Sequence, residues 1–164
     1  MDINWSYKNK SHVFDIKDST GVPYLSFKAL DDTGLAVNGF STRMGGASRA
    51  KFSTMNFSYS RGDAAEDVLE NFTRMAAALG VERDRMVVSH QTHTVNLRRV
   101  TQEDAGKGVV RERDYRDIDG LITDVPGLTL VTFYADCVPL YLLDPVNRAI
   151  GLSHSGWRLS LIHI

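Results

Sequence analysis

Short alternating runs dominate the first part of the chain. Val13 to Lys17 and Tyr24 to Leu30 place apolar and polar residues in turn, the period of a half-buried strand, with the turn Ser19-Thr20-Gly21 between them. Leu35 to Phe40 reads as a third strand that runs into the polar, Gly-rich loop Ser41 to Ser48. Lys51 to Arg61 carries no clear period.

The period then changes. From Ala64 to Leu79 the apolar residues Val68, Leu69, Phe72, Met75, Ala76 and Leu79 recur at helical spacing and form one face. Asp63 stands where an N-cap belongs and Glu66 at the capping-box position, while Gly80 is a C-terminal stop. This helix is expected to pack a core and carry no chemistry.

Strand patterns follow at Met86 to Ser89 and Val95 to Val100. The charged Thr101 to Asp117 reads as a solvated loop. Further strands are expected at Leu121 to Thr123, Leu128 to Tyr134, Val138 to Leu143 and Ala149 to Ser153, separated by the turns Asp124-Val-Pro-Gly127 and Asp144-Pro-Val-Asn147. Many strands and few helices predict an α+β fold.

Length and composition narrow the classes. The chain has 164 residues, a length that suits one domain over 1–164. With 19 basic and 20 acidic residues it has no electrostatic reason to bind nucleic acid or an anionic membrane. Asp136 and Asp144 interrupt the longest apolar stretch, so no membrane span is expected. Met1 to Asp18 lacks the apolar core of a secretory signal. The single cysteine, Cys137, cannot form an intrachain disulfide, and a cytoplasmic protein with a reduced thiol is expected.

Chemistry gathers in three stretches: Ser89-His-Gln-Thr-His-Thr94, Tyr134-Ala-Asp-Cys-Val-Pro139 and Ser153-His-Ser-Gly-Trp-Arg158. Each follows or interrupts a strand pattern, and each supplies one good zinc ligand: His93, Cys137 and His154. Two imidazoles and one thiolate form the three-ligand set of a catalytic zinc site, whose fourth position is kept for water or substrate. The separations of 44 and 17 residues match no local metal motif. A lone cysteine beside strands also reads as a small buried hydrophobe. Cys137 with His154 equally permits a metal-free cysteine hydrolase. A non-catalytic zinc-stabilised module is a further alternative, although no fourth ligand stands out. His12, His90 and His163 read as surface residues. In Phe40 to Gly46, adjacent glycines let backbone N–H groups approach an anion, and Arg43 offers a planar fork for phosphate; a plain turn with a surface arginine fits the same residues.

These residues also carry a resemblance. FSTRMGG (40–46), RGDAAEDVLENFTRMAAALG (61–80), HQTH (90–93), DGLITDVPG (119–127), ADCVPLYLLDP (135–145) and GLSHSGWR (151–158) together resemble the YfiH-type family, in the family's order. Its members were first called polyphenol oxidases or laccase-domain proteins and are now regarded as purine nucleoside phosphorylases. The resemblance implies mixed β-sheets stacked with flanking helices, and zinc on His93, Cys137 and His154. It further implies phosphorolysis of purine nucleosides, deamination of adenosine and action on methylthioadenosine. The substrates are then purine nucleosides and phosphate. Copper could sit on such a set, but laccase chemistry needs several coppers and many more histidines than the 5 present, so a polyphenol oxidoreductase fits poorly.

Within this reading Arg43 is the candidate for holding phosphate. Asp136 is a candidate acid/base, or a carboxylate that orients a ligating histidine. Asn56 and Gln91 are candidates for hydrogen bonds to the substrate. Directly after Arg158 the family pattern is lost. Leu159 to Ile164 is expected to be non-native sequence, which makes the domain incomplete at its C-terminal end.

Overall fold

The computed structural model describes Ser6 and residues 12–156. The segment Leu159 to Ile164 and His163 lie outside the described residues, as do Trp157 and Arg158. The chain runs β1 (Phe14–Lys17), β2 (Tyr24–Phe27), the one-turn α1 (Lys28–Asp31), β3 (Phe40–Ser41), α2 (Ala65–Leu79), β4 (Met86–Val88), β5 (Leu97–Arg99), β6 (Gly120–Thr123), β7 (Thr129–Val131), β8 (Val138–Asp144) and β9 (Ala149–Ser155). Strands β1, β2 and β3 form an antiparallel sheet, β4 and β7 pair in parallel, and a mixed sheet has the order β5-β6-β9-β8. This is the α+β architecture the strand-rich pattern predicts.

The pleat of β4 joins two parts of the core. Met86 and Val88 face α2, where they pack with Val68, Phe72, Ala76 and Val109. Val87, between them, points the other way into a cluster with Val100, Tyr115, Leu121, Leu128 and Leu130. Alternate residues of a strand face opposite sides, so one three-residue strand serves both clusters. A third cluster, Val22, Tyr24, Met55 and Met75, fastens the N-terminal sheet to α2.

Helix α2 ends as expected, with Gly80 in the left-handed conformation at φ 69°. Its start differs. Ala64 is the N-cap and no side chain caps it. Asp63 instead accepts hydrogen bonds from Ser48 Oγ at 2.7 Å and Asn56 Nδ2 at 2.9 Å, so its carboxylate is drawn to the neighbouring loop. The helix also does more than pack. Asn71, fully buried on its apolar side, donates to Ser48 Oγ and the Asn56 carbonyl and accepts from Ala47 N. That one amide holds the Gly-rich loop against the helix.

Two further expectations change. Leu35 to Phe40 is not a strand; only Phe40–Ser41 pairs with β2. The Asn38 side chain takes the Phe27 N–H at 2.7 Å, so the β2 end finds a side-chain partner where a strand would have supplied backbone. Thr101 to Asp117 is no solvated loop. Asp104 is 3% exposed and Lys107 7%. They pair at 2.8 Å, with Arg98 also on Asp104 and Lys107 also on Asp114. Val109 and Tyr115 from the same segment enter the core. Among the described residues no helix is long and apolar enough to cross a membrane.

Candidate metal centre

The four-stranded sheet brings the three ligand stretches to one end. Strands β6 and β9 are antiparallel with Gly120 opposite Ser153, which sets Asp119 beside His154. The backbone confirms the pairing, since His154 N donates to the Asp119 carbonyl at 2.8 Å. On the other side of β9, Pro139 stands opposite His154, so Cys137 lies just off the start of β8. The third stretch arrives through a bridge in which His90 and Ile118 exchange both backbone hydrogen bonds. Gly120 belongs to this packing: a Cβ there would run into Leu97 and the Ser153 side chain.

His93, Cys137 and His154 converge, each with a ligand atom within 4.8 Å of the others. Cys137 Sγ lies 3.8 Å from His93 Nε2. The two imidazole rings are 4.7 Å apart, edge to face. Bond lengths of about 2.0–2.3 Å to a tetrahedral zinc imply ligand separations of roughly 3.5 Å, so this donor set fits the ion. His154 is buried, Cys137 half-buried and His93 exposed, which leaves the centre open on the His93 side. His93 holds the left-handed conformation at φ 63°, which a non-glycine residue adopts at a cost.

The reactivity of Cys137 is set by its neighbours. Burial pushes the thiol up, and the negative charges of Asp136 and Asp119 push it further. Asp136 itself is exposed beside it.

The carboxylate that meets one of the candidate histidine ligands is Asp119, not the neighbouring Asp136 that the sequence suggests. It is 2% exposed and its Oδ1 lies 2.7 Å from His154 Nδ1. It also accepts from the backbone N–H groups of Thr92, His93 and Thr94 and from Thr94 Oγ1. Burial alone would raise this carboxyl, but the N–H groups of Thr94 and Thr92, together with His154, hold it down at about 2. The one sequence signal was its place, an aspartate directly before a strand glycine within DGLITD.

The remaining candidates are dispersed. Gln91 joins the His93 loop to the strand leading toward Cys137. Its Oε1 accepts from Ser89 Oγ and Phe133 N, and its Nε2 donates to the Phe133 carbonyl at 2.7 Å. Asn56 is bound to Asp63 and to the backbone of Ser58. Arg43 Nη2 donates to the Ser53 carbonyl at 3.1 Å. The glycines after it are explained by close packing. Gly45, at φ 77°, lies against the Gly21 carbonyl, and a Cβ on Gly46 would strike the Thr54 backbone. Gly46 N donates to Thr54 Oγ1, so it is committed within the protein. Of the expected surface histidines, His12 is exposed, whereas His90 is half-buried and accepts from Asp117 N at 3.1 Å.

A cavity of about 1110 Å³ is lined by Phe40, Arg43 and Asn56 among many apolar groups. The three candidate ligands are not in its lining. It adjoins them through Tyr134, whose ring lies 5.8 Å from that of His154 and 6.3 Å from that of Phe40.

Known proteins share this sequence and fold. The purine nucleoside phosphorylase YlmD of Geobacillus stearothermophilus is 37% identical over 127 residues, covering 75% of this chain and 45% of its own length. A Deinococcus radiodurans purine nucleoside phosphorylase is 35% identical over 119 residues, covering 73% of this chain and 43% of that protein. The crystal structure of Bacillus licheniformis hypothetical protein YfiH superposes with a TM-score of 0.80 at 31% identity, over 90% of this chain and 54% of that one. The chain thus spans about half the length of the curated relatives it matches. The profile of the family described as multi-copper polyphenol oxidoreductase laccase matches residues 37–164, and the chain belongs to that family, the one that includes YfiH and YlmD.

Proposed function

We propose that this chain contributes the metal centre of a zinc-dependent purine nucleoside phosphorylase that also deaminates adenosine and phosphorolyses methylthioadenosine. The observation that carries the reading is the convergence of His93, Cys137 and His154 within 4.8 Å, in a chain whose relatives are named purine nucleoside phosphorylases. His93, Cys137 and His154 would hold the zinc, which would supply Lewis acidity and an activated water near neutral pH.

The residues of the chain then divide the work. In phosphorolysis an oxygen of phosphate bonds to C1′ of the ribose, the C1′–N bond breaks, and the purine leaves with a proton. Arg43, at the cavity wall, is assigned to phosphate, because a guanidinium fork matches its oxygens. Asp136, exposed beside Cys137, is assigned to proton transfer. Gln91 and Asn56 have amides already committed to protein partners, so they shape the loops around the substrate.

The metal-free hydrolase reading is weaker on chemical grounds. A cysteine nucleophile needs a lowered pKa, and Cys137 is pushed the opposite way. A cation held by His93, Cys137 and His154 would reverse that balance by stabilising the thiolate. The donor set would accept either zinc or copper, but laccase chemistry needs several coppers, and His93, Cys137 and His154 make a single centre. The test is phosphate-dependent release of base from adenosine, inosine and methylthioadenosine, with ammonia release from adenosine followed in parallel. It is run on zinc-loaded protein and on a Cys137→Ala variant. Base release that needs phosphate and zinc supports the reading. Turnover by zinc-free protein with Cys137 intact supports the hydrolase.

A further inference from the structure

Asp119 is the most heavily hydrogen-bonded carboxylate at the centre. Its Oδ2 accepts Thr92 N at 3.0 Å, Thr94 N at 2.9 Å and Thr94 Oγ1 at 3.0 Å. Its Oδ1 accepts His93 N at 3.0 Å and meets His154 Nδ1 at 2.7 Å. A carboxylate has roughly four lone-pair directions, so these five contacts saturate it. Three successive backbone N–H groups curling round one anion form a nest, and such a nest includes residues in the left-handed conformation. His93, at φ 63°, is that residue. The anion that fills the nest is built into the protein.

The same carboxylate orients the second imidazole. Oδ1 already accepts His93 N and Oδ2 already accepts three donors, so the carboxylate meets the ring as an acceptor, and the 2.7 Å contact points to the ring proton on Nδ1. Nε2 of His154 is left as the lone-pair donor. One side chain therefore fixes the backbone that presents His93 and the tautomer that makes His154 a ligand.

We propose that Asp119 is the positioning residue of the metal centre, setting the His93 loop and the His154 tautomer together. This rests on the metal reading above. Asp119→Asn keeps the shape but replaces one oxygen by an NH₂ group. That group must face either the N–H groups of the 92–94 loop or His154 Nδ1, and it breaks one arm of the arrangement in either orientation.

Two measurements on the whole chain test it. Zinc affinity is read by competition with a chromophoric chelator, for wild type, Asp119→Asn and Asp119→Glu. Ring ¹⁵N shifts of His154 in metal-free wild type read the tautomer without any substitution. The expected result is a wild-type His154 protonated on Nδ1 and zinc binding about 10–100-fold weaker in Asp119→Asn. Asp119→Glu, which keeps the charge, should recover part of that loss. Equal zinc affinity in wild type and Asp119→Asn overturns the proposal while leaving the metal reading intact, as does a wild-type His154 protonated on Nε2. A wild type that takes up no zinc overturns the metal reading first, and the positioning role with it.

Discussion

His93 Nε2 stands 3.8 Å from Cys137 Sγ although 44 residues separate the two along the chain. The approach depends on strand order. The His90–Ile118 bridge carries one residue to the end of the sheet, and the start of β8 carries the other. Removing either ligand should therefore empty the centre and leave the fold intact. One zinc per chain is expected in the wild type by elemental analysis. Cys137→Ala and His93→Ala should retain well under half of that, with unchanged far-ultraviolet circular dichroism. Stoichiometric zinc in Cys137→Ala would show that the ligand set is wrong.

Arg43→Lys tests the phosphate assignment. Lysine keeps the charge but loses the fork. A charged hydrogen bond is worth about 1.5–3 kcal/mol, so KM for phosphate should rise about tenfold or more while KM for the nucleoside stays within about twofold. The comparison is made in steady-state kinetics with inosine. An unchanged phosphate dependence removes Arg43 from the site.

Asp104 and Lys107 predict an acid limb in the stability of the fold. Burial would raise the Asp104 carboxyl, but Lys107, Thr101 N–H and Arg98 hold it at about 2. A carboxyl lowered in the folded state adds stability above its unfolded pKa of about 4, and that share is lost as pH falls toward about 2. The stability gap between wild type and Asp104→Asn should therefore be widest above pH 4 and narrow steadily below it, in urea titrations at successive pH values. At neutral pH, Lys107→Met should cost about 1–3 kcal/mol, since it strips one of the two cationic partners from the buried Asp104 carboxylate. A loss under about 1 kcal/mol would mean that the pair is solvated.

Asn71→Ala removes the amide that ties the Gly-rich loop to α2. Ser48 Oγ, the Asn56 carbonyl and Ala47 N all lose that partner. A stability loss of about 1–3 kcal/mol is expected from the groups left unpaired. For comparison, Phe72→Ala in the same helix should cost about 3–5 kcal/mol through the cavity it leaves. Hydrogen exchange should show loosening confined to residues 45–56 in Asn71→Ala and spread through the core in Phe72→Ala. Identical exchange patterns would argue that Asn71 has no separate role.

Periodicity determined much of the architecture directly. Helix α2 and strands β4 to β9 stand within a few residues of where apolar spacing puts them; in α2, β4 and β6 the spacing aligns a buried face. The N-terminal boundaries were less legible. Asp63 has the residue type of a helix cap, yet Ser48 and Asn56 compete for its carboxylate and win. Leu35 to Phe40 has strand composition, yet Asn38 satisfies β2 with a side chain.

Charge and chemistry depended most on the tertiary structure. Lys107 and Asp104 read as solvent residues because composition cannot show that three elements bring opposite charges together inside the protein. The ligand types of His93, Cys137 and His154 were visible in the sequence, and the resemblance of their motifs grouped them. Their distances, and the part played by Asp119, were not. Asp119 is one of many aspartates until the β6–β9 register sets it against His154 and the His90 bridge wraps three backbone N–H groups around it. Local sequence specifies which groups a segment offers; only strand pairing between distant segments decides which of them meet, and burial then decides how strongly they interact.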